Sequence, residues 1–378
     1  MAAVPSRRLS ITVNRETSAI EGQERAQANL SARGAKALVN DLFVLKPALY
    51  WLDLILSSAV AYLAAAVYVR APTFSALQLL GLVISGIAFF RIATFMHEIA
   101  HMRRDQMRSF KFGWNILVGI PLLTPSLFYT SHADHHSNRH YGTADDGEYL
   151  PFGAKPPAAI IRFLGTIPFV PILAVLRALV LVPLSFAIPR VRVWLLESAS
   201  AAVISPSYKR RHVPANWEPI WLICDLACFS YAMVVCLLVV KGLIDVAVIG
   251  KLYLLITFSI TLNWFRTLAA HRYRSEGMEL SHAGQVLDSI NITGNPILTA
   301  FLFPVGLRYH ALHHLLPSLP YYALGQAHRR LMEKLPAESA YRETNCLSMT
   351  VALRQLWSDA SRCRGTTAAV SSVGKSSS

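Results

Sequence analysis

Four segments of this 378-residue chain are apolar with almost no interruption. They cover residues 49–69, 75–96, 219–240 and 243–265, and none contains more than two charged residues. A helix needs roughly 20 apolar residues to cross the hydrocarbon core of a bilayer. Since only 70–74 and 241–242 separate the members of each pair, the pattern predicts an all-α integral membrane protein with four transmembrane helices in two hairpins.

Two further apolar stretches, 113–129 and 156–200, are interrupted by prolines. Proline breaks a helix interior, so we expect short helices lying at the membrane interface, although another hairpin in the second stretch also fits the pattern. The segment after each hairpin would contribute to a helical cytosolic cap. The polar ends predict cytosolic tails, 1–44 and 336–378, on either side of a membrane domain, 45–335.

Composition and charge placement agree with this topology. Hydrophobic residues make up 53% of the chain and charged residues 15%, against nearer a quarter charged in an ordinary soluble domain. The net charge of +14 comes largely from arginines and lysines before the first segment and just after the second. The positive-inside rule then places both termini in the cytosol. This placement favours contact with lipid headgroups and argues against a nucleic acid partner.

The N-terminus lacks the apolar core of a cleavable signal peptide. We therefore expect a multi-pass protein of a bacterial inner membrane or of the endoplasmic reticulum.

Eight of the 13 histidines fall in three short motifs. Side chains at positions i, i+3 and i+4 share one helix face, and the topology places all three motifs on the cytosolic side. Such repetition predicts a shared metal centre in the cap. The motifs are H-x-x-x-H, with His97 and His101, and two copies of H-x-x-H-H, with His132, His135, His136, His310, His313 and His314.

The number and type of these ligands indicate the metal. Residues 97–101 read HEIAH, the H-E-x-x-H pattern of zinc proteases, but one zinc takes three or four ligands. Eight imidazoles suit two metals, and nitrogen ligands with open positions are compatible with iron that activates dioxygen. Nearby side chains that could hydrogen-bond to metal-bound imidazoles are Glu98, Asp134, His140, Asp145, Asp146 and Glu148.

With these three motifs in a four-span protein, the chain resembles the membrane fatty acid desaturase superfamily, which also contains hydroxylases and carotenoid-modifying enzymes. The resemblance covers about residues 45–335. It implies a non-haem di-iron centre with two Fe ions, O2 as co-substrate and two external electrons. We therefore expect an oxidoreductase of lipid metabolism that introduces a carbon–carbon double bond into a fatty acyl chain, with no catalytic residue beyond the metal ligands.

The resemblance also assigns residues outside the three motifs. Family members use a histidine shortly after the fourth span, and His271 in RTLAAHRY takes that position as a ninth ligand. Thr267 stands where acyl-CoA desaturases have an asparagine that contacts a metal through water, and Asn263 is the alternative one turn earlier. We expect an apolar tunnel for the alkyl substrate, lined by Trp114, Leu117, Trp264 and Phe265. Anchoring at the membrane interface is the alternative role for these side chains.

A separate electron donor is implied, because the sequence has no H-P-G-G stretch of a fused cytochrome b5 domain. The donor would be a ferredoxin, or a cytochrome b5 with its reductase. A group of basic residues could attract such an acidic protein, or could reflect positive-inside bias alone. This group lies around Arg103, Arg104, Lys209, Arg210 and Arg211.

Three other functions remain open on the sequence. A hydroxylase or ketolase of an alkyl, sphingoid or carotenoid substrate would use the same scaffold, and product analysis would separate it from a desaturase. An intramembrane zinc metalloprotease would need one zinc and no oxygen. A histidine-rich metal transporter would move metal without consuming oxygen.

Overall fold

The computed structural model describes residues 32–211 and 218–373, with the backbone alone for 364–373, and this part of the chain is mostly helical. In chain order the α-helices are α1 (Ala32–Leu38), α2 (Pro47–Arg70), α3 (Ala76–His101), α4 (Arg108–Trp114), α5 (His132–His135), α6 (Ala158–Leu164), α7 (Phe169–Leu176), α8 (Val182–Ala187), α9 (Pro189–Ser198), α10 (Glu218–Val240), α11 (Val246–Leu268), α12 (His282–Asp288), α13 (Pro296–Leu302), α14 (His310–Leu315), α15 (Leu324–Lys334) and α16 (Met349–Val373).

Shorter elements connect these helices. The strands β1 (Asn291–Ile292) and β2 (Asn345–Cys346) pair in parallel. Two π-helical turns occupy Asn115–Gly119 and Arg177–Leu181. Short 3-10 helices occupy Asn40–Phe43, Ser126–Tyr129, Phe152–Ala154, Tyr321–Ala323 and Ala340–Thr344.

Four long apolar helices coincide with the four predicted spans. Helices α2, α3, α10 and α11 contain 24, 26, 23 and 23 residues and are apolar enough to cross a membrane. Their outer faces expose large apolar side chains, such as Leu63 at 69% and Ile223 at 65%. Contiguous exposed apolar surface of this kind is rare on soluble proteins and suits contact with lipid tails. The prediction of a helical membrane protein is confirmed at this level.

A fifth helical segment, Phe169–Ala187, is also long and apolar enough to span a membrane. The sequence favoured short interfacial helices in this range because of its prolines, and left another hairpin open. The structure explains the difference, since Pro171 lies in the first turn of the segment, where proline is tolerated, and Pro183 lies just after the π-helical turn Arg177–Leu181, where the regular α-helical hydrogen-bond pattern is already interrupted. The π-helical turn between α7 and α8 keeps the segment continuous.

The first hairpin is closely packed. Helices α2 and α3 pack side by side across the turn 71–75, and the Ser75 side chain accepts a hydrogen bond from the Gln78 backbone N–H at 3.1 Å. Gly81 permits this close contact, because a Cβ there would lie 2.8 Å from the Tyr68 backbone nitrogen. At the other end α3 continues to His101, so that its last turns carry the first histidine motif.

The C-terminal segment, 336–378, was expected to be a tail, but its described part is folded. Strand β2 pairs with β1, and α16 buries Leu356 and Ala360 in a hydrophobic cluster with Tyr141 and Tyr273. The expectation for the N-terminal tail, 1–44, lies largely outside the described residues. Its described part forms α1 and the 3-10 helix Asn40–Phe43, and Val39 is fully buried.

A buried ionic contact joins Phe169–Ala187 to α10. Asp225 of α10 is fully buried and accepts a hydrogen bond from Arg177 at 2.8 Å and another from Arg192 of α9. Arg177 also donates to Ser200 Oγ at 2.8 Å. Removing one partner of a buried ion pair leaves an uncompensated charge, so this contact is expected to anchor the segment.

We predict that Asp225→Ala lowers the free energy of unfolding by about 3–5 kcal/mol, because two arginines lose their carboxylate partner. The measurement is the thermal unfolding midpoint of the purified protein in detergent. Asp245→Ala is the control, since it removes only the exposed N-cap of α11, a contact worth about 1 kcal/mol. Equal shifts in the two variants would contradict the anchoring role.

Candidate metal centre

Nine histidines come together in two groups, and they are the nine singled out in the sequence. Within each group the nitrogen atoms that could hold a metal ion all lie within 4.8 Å of one another. The first histidine group contains His97, His101, His132, His136 and His313. The second histidine group contains His135, His271, His310 and His314.

Each H-x-x-H-H motif contributes to both groups. On α5 and the residue after it, His132 and His136 belong to the first group, whereas His135 belongs to the second. On α14, His313 belongs to the first group, and its neighbour His314 points to the second. Successive helical side chains differ in direction by about 100°, since a turn takes 3.6 residues. One short helix can therefore serve two metal sites.

His97 and His101 come from the last turns of α3. Four residues apart, they lie on the same helix face, and their ring centroids are 5.1 Å apart. The His97 ring lies 4.3 Å from that of His313, and the His101 ring lies 4.6 Å from that of His136. All three motifs thus meet in the first histidine group.

His271 closes the second histidine group from the segment after α11. Its Nε2 lies 3.2 Å from His135 Nε2 and 2.8 Å from His310 Nε2. An antiparallel bridge between His271 and Ser289 holds the backbone in position. The ninth histidine, suggested only by the resemblance, is therefore in contact with the other three members of its group.

Several of these nitrogens have no hydrogen-bond partner among the described residues, although they are buried. This holds for both ring nitrogens of His97 and His314, for His101 Nε2 and for His310 Nδ1. A buried polar atom without a partner costs about 1–3 kcal/mol. Convergent, unpartnered imidazole nitrogens are what a bound transition metal would satisfy, and neither group contains a cysteine. The residues fit one metal ion in each group.

Burial also sets the protonation state of these imidazoles. Loss of solvation, helped by repulsion from nearby imidazoles, lowers the pKa well below its usual 6.5, so that the rings are neutral at pH 7. A metal ligand requires the neutral form. The imidazoles outside α3 whose pKa is lowered in this way are His132, His136, His271, His310, His313 and His314.

Carboxylates hold the outer nitrogens of two imidazoles. His135 Nδ1–H donates to Asp146 at 2.9 Å, and His132 Nδ1–H donates to Glu148 at 2.7 Å. Burial alone would lower the pKa of His135, but the fully buried Asp146 carboxylate raises it. Such contacts fix the tautomer and turn Nε2 towards the metal. Asp146 therefore lies where the sequence analysis expected a supporting carboxylate.

A third contact of this kind was missed by the sequence analysis. His271 Nδ1–H donates to the Tyr141 hydroxyl at 2.9 Å, and that hydroxyl donates to Asp288 at 2.9 Å. All three side chains are buried. Tyr141 is 130 residues from His271 in the chain, and Asp288 belongs to no histidine motif, so no local pattern could have identified them.

Three predicted supporting residues contact other parts of the protein. Glu98 accepts hydrogen bonds from the Tyr50 hydroxyl at 2.7 Å and from the Tyr321 backbone N–H at 3.2 Å. Asp145 is half exposed and pairs with Arg211, which also contacts His140 Nε2 at 3.1 Å. None of these contacts involves either histidine group, so the role predicted for Glu98, Asp145 and His140 is not supported by their contacts.

The contacts of Glu98 also bear on the H-E-x-x-H pattern. In a zinc protease this glutamate acts as general base at the metal. Here both of its recorded partners, Tyr50 and Tyr321, lie outside the histidine groups. The carboxylate instead ties α2 and α3 to the Tyr321–Ala323 turn that follows the third motif.

Asn263 and Thr267 do not contact a histidine through their recorded hydrogen bonds. The Asn263 side-chain oxygen accepts from Arg266 at 2.8 Å. The Thr267 backbone carbonyl accepts from the Tyr273 hydroxyl at 2.9 Å. Both residues lie in the last two turns of α11, before the second-group ligand His271 in the chain. Their expected contact with a metal through water stays a prediction.

The four residues predicted to line a substrate tunnel have different surroundings. Trp114 is 1% exposed in the core between α2 and α3, and its indole N–H donates to the Ile92 carbonyl at 2.7 Å, so it has no open face. Leu117 packs against the same core. Trp264 stacks on Phe163 with ring centroids 5.4 Å apart. Phe265 is 36% exposed.

Comparison with known proteins identifies the family. The sequence profile of the family described as "Fatty acid desaturase" matches residues 72–345. The chain is 38% identical over 327 residues to a protein named "Ceramide hydroxylase" from Caulobacter vibrioides, an alignment that covers 86% of this chain and 92% of that protein. No solved structure matched.

A helical membrane protein with clustered histidines and this family match defines an oxidoreductase. The chain belongs to the fatty acid desaturase family, as the sequence motifs had indicated.

The adjacent carboxylates Asp145 and Asp146 give a matched test of the hydrogen bond to His135. We predict that Asp146→Asn lowers metal affinity about 10–100-fold, the typical loss when such a partner of a ligating histidine is removed. The measurement is iron content against increasing chelator concentration. Asp145→Asn, which changes only an exposed ion pair, should match the wild type. Equal retention of iron by both variants would show that Asp146 does not support the ligand.

Proposed function

We propose that this protein is a membrane-bound, O2-dependent enzyme with a non-haem di-iron centre, and that it hydroxylates a ceramide-like lipid. The observation that carries the substrate class is the similarity to the Caulobacter vibrioides ceramide hydroxylase, which extends over nearly the full length of both chains. The two histidine groups support two irons, because each provides four or five imidazoles whose nitrogen atoms lie within 4.8 Å of one another. Desaturation of an acyl chain is the second candidate, favoured by the family description.

The overall reaction needs two electrons from outside. Hydroxylation combines R–H, O2, two electrons and two protons to give R–OH and water, whereas desaturation gives an alkene and two waters. When bound, the irons supply the reductive activation of O2 and the oxidant that removes hydrogen from an unactivated carbon. We therefore propose a separate donor, a ferredoxin or a cytochrome b5 with its reductase.

The chain's own contribution is orientation and exclusion of water. Asp146, Glu148 and Tyr141 hold the Nδ1 atoms of three imidazoles, so that Nε2 faces the interior of its group. Most of the nine rings are buried. A dry, prearranged site protects a reactive oxidant from side reactions. Hydroxylation and desaturation both need such a protected site. The site alone therefore supports O2-dependent oxidation as the class of reaction, but it does not distinguish between the two products.

The histidine geometry also bears on membrane topology. His135 and His271 belong to one group, so an even number of crossings must separate them. Three helical segments that could span lie between them: Phe169–Ala187, α10 and α11. We propose that α10 and α11 cross as a hairpin and that Phe169–Ala187 does not. In support, that segment is the shortest at 19 residues, contains a π-helical turn and includes the buried cation Arg177.

With α2 and α3 as the other hairpin, the proposed protein has four spans. The cap, both termini and the metal site then lie on one side of the membrane, which the distribution of basic residues makes the cytosolic side.

The iron content of single-histidine variants should distinguish the two histidine groups. We predict about two irons per wild-type chain and about one in either His313→Ala or His314→Ala, because these neighbours belong to different groups. Both variants should be inactive, since both metals are needed. The measurement is metal analysis with protein quantification after purification under conditions that retain iron.

His328→Ala is the matched control for the loss of a buried imidazole. His328 is 8% exposed and hydrogen-bonds to the Tyr341 hydroxyl at 2.8 Å, outside both groups. This variant should be less stable but should keep its iron. Normal iron content and turnover in His314→Ala would overturn the two-group assignment, and a single zinc with full activity would overturn the di-iron proposal.

The product decides between the two candidate reactions. With a ceramide substrate and isotopically labelled dioxygen, we predict a product that has gained one labelled oxygen atom. Mass spectrometry of extracted lipids is the measurement, with a strictly anaerobic reaction as control. Loss of two hydrogens without oxygen gain would establish desaturation, and turnover without oxygen would contradict both.

A further inference from the structure

A basic surface covers the second histidine group from outside. We propose that it is the docking site for the acidic electron-transfer protein that reduces the metal centre, an inference that rests on the proposed function. We call it the arginine face, and it comprises Arg272, Arg274, Arg354, Trp357, Asp359 and Arg362.

The first argument is the short path from this surface to a proposed metal ligand. Arg272 directly follows His271 in the chain. A crevice of about 10 Å³, room for about one water, is lined by His271 together with Arg274, Gln355 and Asp359. A donor bound over this crevice would be separated from the second histidine group by little protein. This favours reduction of the metal centre from this side, because electron transfer slows steeply with distance.

The second argument is charge. Arg274 is 57% exposed and donates to Asp359 at 2.7 Å, and Arg362, 79% exposed, lies 3.5 Å from the same carboxylate. Arg354 is exposed as well. The arginine face as defined contains four arginines and one aspartate, so its formal charge is positive. An excess of one sign steers an oppositely charged partner and raises its association rate, so the face suits an acidic donor.

The third argument is the combination of an aromatic side chain with arginines. Trp357 is 47% exposed on α16 and borders an open groove of about 550 Å³ with Leu353, Arg354 and Ser361. Trp and Arg are enriched among residues that contribute most to protein–protein affinity. Redox partners usually meet through small interfaces, so one tryptophan within an arginine-rich surface is enough contact for a transient complex.

The basic residues singled out from the sequence form a weaker candidate. Arg210 is buried and donates to the Phe128 and Ser200 carbonyls, so its charge is not presented at the surface. Arg211 pairs with Asp145. Arg103 is 81% exposed, which makes it a suitable control at a different basic position.

The test compares charge reversal at two exposed arginines. In the full-length, iron-loaded protein, Arg354→Glu should lower kcat/KM for an acidic ferredoxin or cytochrome b5 at least tenfold by raising the KM for the donor. Turnover driven by dithionite should stay unchanged, because the metal site is intact. Trp357→Ala should also weaken donor binding, measured directly without turnover, and the effect of Arg354→Glu should shrink as salt is added, since salt screens the charges.

Arg103→Glu, the same charge change at the other position, should leave donor kinetics unchanged. A loss with Arg103→Glu and none with Arg354→Glu would overturn the proposal in favour of the other surface. Unchanged donor kinetics with weaker binding of Arg354→Glu to anionic lipid vesicles would show that the arginine face contacts the membrane instead. If the proposed function itself is wrong, the wild type will lack iron and dithionite-driven turnover. The donor-binding measurement does not depend on turnover, so it distinguishes that failure from a failure of the docking proposal.

Discussion

Convergence of imidazole nitrogens on two small volumes is the constraint on which the structure depends. Nε2 atoms of different histidines lie 2.8–3.2 Å apart, and other ring nitrogens are buried without a partner among the described residues. Such an arrangement is unfavourable in isolation, because each buried nitrogen has given up water. The fold must therefore impose it through four separate segments: α3, α5, α14 and the chain after α11.

Contacts outside the two groups show how the fold does so. Carboxylates or a tyrosine bind the Nδ1 atoms of His132, His135 and His271, which leaves Nε2 directed inwards. Glu98 joins α2 and α3 to the turn after α14 and so fixes the third motif against the first. The H-E dipeptide of the first motif thus combines a ligand with a structural tie, which accounts for a protease-like pattern in a chain with a different site.

Desaturation and hydroxylation place the same demands on this site. Under the proposed function, both would use two metals in a site shielded from water, lipid access and electrons from a partner. What separates them is the position of the substrate carbon during the second oxidation step, which depends on substrate binding and not on the ligand set. This is why the histidine geometry supports the class of reaction, whereas the similarity to a ceramide hydroxylase supports the specific proposal.

The sequence alone determined the features that depend on neighbouring residues. The four long apolar helices follow from local composition, and the eight motif histidines follow from helical spacing within five residues. The resemblance to a family added His271. The apolar helices and the clustering of the motif histidines could be predicted because the physical cause, burial in lipid or a shared helix face, acts over one or two turns.

Tertiary structure decided everything that needs two distant segments. His313 and His314 are adjacent, yet they serve different groups because α14 lies between the other ligands. Tyr141 and Asp288, 147 residues apart, support His271 together. Asp145 and Asp146 look alike in the sequence, but only Asp146 is turned inwards. Pro171 and Pro183 permit a continuous helical segment because one falls in its first turn and the other follows a π-helical turn. Helix α16 folds back over the second histidine group. A side chain's partner depends on how remote elements pack, and no local pattern encodes that packing.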